Sequence, residues 1–115
     1  MSNGRRPAKA NRYRQGYLTS GVWFARRTRW FRDETQQAGG LRCAACELPA
    51  EPRELELHHV DYSRVVQSDT GWVAGELHSD LVALHPAHHE LLHCLMDRDR
   101  VLRSMRTRAA ANQSR

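Results

Sequence analysis

Large apolar side chains between residues 19 and 38 fall at Trp23, Phe24, Trp30 and Phe31. Offsets of one, seven and eight draw a single stripe along a helix. Thr19 or Ser20 can cap its start and Gly39-Gly40 can stop it after about Gln37. A short hydroxyl accepts a free first-turn N–H, and glycine tolerates the left-handed turn beyond the last. With that stripe inward, Arg26, Arg29 and Arg32 are expected to face outward. The aromatic stripe reads as core rather than as a base-stacking platform, because a small domain has to bury its largest residues. Further on the period changes. Glu54-Leu55-Glu56-Leu57-His58 alternates polar with apolar, predicting a strand with Leu55 and Leu57 facing in. Leu81-Val82-Ala83-Leu84 predicts a second short strand. Pro86 suits the first turn of a helix continuing through Leu91 and Leu92 to about Asp97 or beyond.

The remaining stretches lack a clear period. Residues 60–79, with Gly71 and Gly75, read as one long connection, and connections of that length often carry function. Residues 1–16 are basic and aperiodic, a flexible arm. Residues 98–115 form a basic helix or tail in which Val101, Leu102 and Met105 either extend the preceding helix or start another. The resulting class is α+β, with one domain over 17–97.

Length and composition bound the class further. The chain has 115 residues, 40% of them hydrophobic, and a mean hydropathy of −0.73, which leaves room for a single thin core. It has no run of about 18 apolar residues, so a membrane-spanning helix is excluded. No apolar stretch follows the basic residues 1–10, so no secretory signal is expected. A cytoplasmic location, reduced cysteines and metal binding are therefore the expectation for Cys43, Cys46 and Cys94 as a group. A core this small benefits from a staple, and a structural metal is one of the few kinds available.

Charge separates along the chain. Residues 1–42 carry nine Arg and one Lys against two acids, a balance of +8; residues 43–97 carry two Arg against ten acids, −8; residues 98–115 carry six Arg against one acid, +5. Basic flanks around an acidic middle suit a polyanion binder, since neutralising phosphates releases counterions and the guanidinium fork matches a phosphate. An Arg-rich solvated surface is the competing reading. All seven histidines fall between positions 58 and 93, and that clustering suggests a site.

Two constellations stand out. Cys43-x2-Cys46 and His85-x2-His88 have zinc-ligand spacing, and two thiolates with two imidazoles close a tetrahedral shell. The alternative makes the cysteines small buried residues. Cys94, between Leu92 and Leu95, reads as a buried thiol rather than a ligand. The second constellation is His58, His59, His89 and His93. Adjacent strand residues point to opposite faces, so His58 and His59 can do different work. His89 and His93 share one face of a helix at i, i+4. Together with His58 they make a three-ligand metal site with open positions, the arrangement of a catalytic ion. His59, left unligated, could act as general base, a task that suits the imidazole side chain.

The order CxxC, Leu-Glu-Leu-His58-His59, Asp80-Leu-Val-Ala-Leu, His85-x2-His88-His89, x3, His93 resembles the HNH endonucleases over roughly residues 41–97. Tyr17-Leu18-x-Ser20-x2-Trp23 is similar to the lead-in helix of small HNH proteins. The resemblance implies a small ββα-metal, treble-clef-like fold with a zinc knuckle, and metal-assisted hydrolysis of DNA phosphodiesters to 5′-phosphate and 3′-hydroxyl ends. His59 matches the general base, His58 a metal ligand, His89 the closing histidine of the motif and His93 an additional histidine ligand. Two positions depart from the family pattern. His85 and His88 replace its usual zinc cysteines, and Asp80 replaces the middle Asn that braces the loop bearing the base. The implied cofactors are structural Zn²⁺ and one catalytic divalent ion. An all-histidine site accepts Zn²⁺, Ni²⁺, Co²⁺ or Mn²⁺, and Mg²⁺ less readily.

DNA is the expected partner, with Arg26, Arg29, Arg32 and Arg64 as candidate contacts; Arg64 could equally sit in a surface ion pair. A zinc-stapled DNA-binding module without chemistry, or an accessory of a larger DNA-processing machine such as a phage packaging motor, is the rival reading. It leaves His58, His59, His89 and His93 without a common purpose.

Overall fold

A computed structural model describes the backbone over residues 14–113 and side chains through residue 106. Most of the predicted 1–16 arm lies outside the described residues; residues 14–18 form a helical turn. Tyr17 on that turn is fully buried.

Helix α1 (Gly21–Ala38) begins and ends where its caps place it. The Ser20 hydroxyl oxygen accepts the Trp23 N–H at 3.2 Å. Gly39, at φ 77°, donates its N–H to the Thr35 carbonyl and turns the chain away. The buried face differs from the predicted stripe. Trp23, Arg26, Trp30 and Phe31 are buried, whereas Phe24 is 55% exposed. Offsets of three and seven from Trp23 place Arg26 and Trp30 on its side of the helix, and the next residue is rotated away by about 100°. Arg26 therefore takes the inward position that hydrophobicity alone assigns to Phe24.

Strands β1 (Glu56–His59) and β4 (Leu81–Leu84) pair antiparallel, with His58 opposite Val82 and His59 opposite Leu81. Leu55 and Leu57 are buried as the alternation requires. The 60–79 connection is not plain loop: it holds a hairpin of β2 (Val65–Ser68) and β3 (Gly71–Ala74). At its exit a β-carbon on Gly75 would lie 2.5 Å from the Arg64 carbonyl oxygen, so only glycine fits that approach. The knuckle before β1 docks through the Ala44 N–H on the Ala83 carbonyl at 2.8 Å.

Helix α2 (Pro86–Gln113) is continuous and 28 residues long, so the basic segment from 98 to 113 extends it. Its first turns pack on β1 and β4. Beyond them Leu95, Met96, Val101, Leu102 and Met105 are exposed, and so is Cys94. The predicted burial of Cys94 is thus corrected: α2 has outrun the core by that point. No helix among the described residues is long and apolar enough to cross a membrane.

The core cluster joins Tyr17, Trp23, Trp30 and Phe31 to Leu41, Leu55, Leu81 and Leu84. Trp30→Ala is expected to destabilise the fold by about 3–5 kcal/mol. Phe24→Ala, on the open face, should cost less than about 0.5 kcal/mol. Denaturant unfolding of the two variants checks the reassigned helix face.

Candidate functional site

The knuckle and the β4–α2 junction bring Cys43, Cys46, His85 and His88 together. Their ligand atoms all lie within 4.8 Å of one another. Cys43 Sγ is 3.4 Å from His88 Nδ1, and Cys46 Sγ is 3.5 Å from His85 Nδ1. Metal–sulfur bonds of about 2.3 Å and metal–nitrogen bonds of about 2.0 Å in a tetrahedral shell separate S from N by about 3.5 Å. The spacing fits, and this group could hold a structural metal ion. Burial alone would push the Cys43 thiol up, but backbone N–H groups, that of His85 foremost, and the His88 ring outweigh it and bring the pKa to about 5. Thiolate is the form that binds a cation.

His58, His89 and His93 form the second group. His89 Nε2 is 3.3 Å from His58 Nδ1 and 3.1 Å from His93 Nε2. One nitrogen thus faces two others, and a single N–H cannot serve both contacts. A cation shared by three lone pairs satisfies all of them. Burial, followed by the neighbouring His89, His93 and His59, lowers the His58 pKa to about 4, so its ring is neutral near pH 7 and free to ligate. Glu56, one residue pair earlier on β1, contacts His89 Nδ1 through Oε1 at 3.0 Å. An ionised carboxylate accepts that N–H and leaves the Nε2 lone pair directed at the cluster. Sequence reading missed Glu56; its i−2 spacing from His58 puts both on one face of β1 and was the available signal.

His59 takes the opposite face of β1. Its side chain is 1% exposed, and its Nε2 lies 2.8 Å from Glu76 Oε2. The Tyr62 ring stacks on it at 3.9 Å between centroids, and Trp23 lies at 4.9 Å. His59 nonetheless lines the same cleft as His58, His89 and His93, a space of about 1060 Å³. Asp80 is buried; its carboxylate accepts two 2.9 Å contacts from Arg64 Nη1 and the Leu77 N–H, and its carbonyl accepts the Val60 N–H at 2.7 Å. The residue following the histidine pair is thereby tied to Asp80.

The candidate DNA contacts separate. Arg26 is 5% exposed and donates from Nη2 to the Glu76 carbonyl at 3.0 Å; its predicted outward role is corrected by its place on the Trp23–Trp30 face. Arg64 is engaged by Asp61 and Asp80. Arg29 and Arg32 are exposed but line a shallow surface with Val22 and Phe24, away from the histidines. Among the described residues the arginines that line the histidine cleft are Arg14 and Arg100, which sequence reading did not single out. Arg14 also stacks over Tyr62 at 4.7 Å. His78 has a structural place, stacked on Trp30 and bonded to Glu34. Compared with known protein families, curated proteins and solved structures, the chain gives no match.

Cys43→Ser is expected to lower stability by several kcal/mol and to remove one bound metal ion per chain; unfolding curves and elemental analysis measure both. Glu56→Ala should leave the fold intact and weaken metal binding at His58, His89 and His93 by about tenfold or more, as read by calorimetric titration.

Proposed function

We propose that this chain is a metal-dependent DNA endonuclease of the HNH type, with a ββα-metal unit formed by β1, β4 and the start of α2. The observation that carries this reading is the convergence of the His58, His89 and His93 ring nitrogens in a cleft that His59, Arg14 and Arg100 also line. Three protein ligands leave positions open, unlike the four-ligand group at Cys43, Cys46, His85 and His88, which we assign to structural Zn²⁺.

Within this reading His58, His89 and His93 hold the catalytic divalent ion. Bound there, the ion supplies charge that steadies the phosphate and the departing oxygen. His59 takes the proton of the attacking water. Asp80 braces the strand end through the Val60 N–H and Arg64. Arg14 and Arg100 contact phosphates on either side of the cut, and the flanking basic segments add affinity that falls with salt.

The burial of His59 favours one rival, a metal-stapled DNA-binding or accessory protein of a larger DNA-processing complex in which that ring is only core. Plasmid nicking separates the two. After chelation, adding single divalent metals back should restore cleavage, and His59→Ala should lower it by about a hundredfold or more while DNA binding is retained. Undiminished cleavage by His59→Ala removes His59 from the mechanism. Wild-type protein inert with every metal removes the enzyme.

A further inference from the structure

Glu76 has no part in the reading above, yet it is the most deeply buried carboxylate among the described residues, with a side chain 0% exposed. It sits in the connection leaving β3, under α1. Three groups face it. His59 Nε2 and the Tyr17 hydroxyl meet its Oε2 at 2.8 and 2.7 Å, and Arg26 Nε stands 4.0 Å from its Oε1. Burying a carboxylate costs several kcal/mol unless donors and a countercharge surround it; here they do. Burial pushes its pKa up, but the bonds from His59 and Tyr17 outweigh that and hold it below the usual carboxylate range.

An ionised carboxylate can only accept a hydrogen bond. The hydrogen in the 2.8 Å contact therefore belongs to His59 Nε2, and in the neutral ring the lone pair lies on Nδ1. Tyr62 stacked at 13° and Trp23 at 39° to the ring hold its plane. Tyr17 occupies the second donor position on Oε2, which keeps the carboxylate from turning away. A histidine of fixed plane and fixed tautomer is what a proton acceptor needs.

We propose that Glu76 is a positioning residue, which fixes His59 with Nε2 protonated and so makes Nδ1 the proton acceptor; this rests on the nuclease reading. In the step it serves, a water oxygen bonds to phosphorus, the bond from phosphorus to the 3′ oxygen breaks, and the water proton moves to Nδ1. The imidazolium that forms keeps its Nε2–H on the Glu76 carboxylate, and the leaving oxygen takes its proton from solvent.

The test combines ¹⁵N NMR of the histidine side chains in Zn²⁺-loaded wild-type protein with cleavage kinetics of Glu76→Gln. The expected wild-type signature is a protonated Nε2 and a lone pair on Nδ1 for His59. Folded Glu76→Gln should cleave about a hundredfold more slowly or worse, with its Kd for uncleaved DNA within about twofold of wild type. If this variant does not fold, the wild-type resonances decide alone. A hydrogen on Nδ1, or wild-type cleavage by folded Glu76→Gln, overturns the assignment. Wild-type protein that cleaves nothing overturns the nuclease reading instead, and the nitrogen resonances still decide the pairing of Glu76 with His59.

Discussion

Cys43, Cys46, His85 and His88 meet where three pieces of chain come together. The knuckle, the β1–β4 pair and the start of α2 share a sheet only four residues long. The apolar core joins residues of α1 to residues of that sheet, and α2 packs on β1 and β4. Backbone ladders this short are marginal in water by themselves. A cation gripped by two thiolates and two imidazoles would tie the knuckle to the β4–α2 corner. The same corner fixes where His89 and His93 emerge, since His88 and His89 are neighbours on the first turns of α2. The orientation of the three-histidine group thus depends on the four-ligand group beside it.

Both faces of β1 carry polar burden. On one, His58 turns toward His89 and His93; on the other, His59 meets Glu76, which Tyr17 and Arg26 also engage. A domain with so thin a core would gain stability from aliphatic residues at these positions, because buried ion pairs seldom outperform a well-packed apolar replacement. Three atoms of the network, Arg26 Nε and Nη1 and Glu76 Oε1, have an ion pair between them at 4.0 Å but no hydrogen-bond partner among the described residues.

Capping chemistry and period carried the sequence reading of α1, β1 and β4: Ser20, Gly39 and the Leu55–Leu57 alternation each act locally, and local rules are visible in one dimension. The ligand groups were legible for the same reason, since CxxC, HxxH and HxxxH report the pitch of a knuckle or a helix. What failed was tertiary. Arg26 is inward because Glu76, fifty residues later, supplies its countercharge, and nothing near Arg26 announces this. Phe24 and Cys94 are exposed because the core ends before it reaches them. The β2–β3 hairpin escaped notice because Val65-Val66-Gln67-Ser68 and Gly71-Trp72-Val73-Ala74 lack clean alternation, the hairpin being exposed along much of both strands. Arg14 and Arg100 sit far apart in sequence and meet only across the cleft.

Two chemically different groups of metal-ligating side chains share one small domain. X-ray absorption at the metal edge, on protein saturated with a single divalent metal, measures this directly. The expected result is two ions per chain, one bound by two sulfurs and two nitrogens, the other by three imidazole nitrogens completed with oxygen. A single ion with sulfur ligands and no second, sulfur-free shell would contradict it.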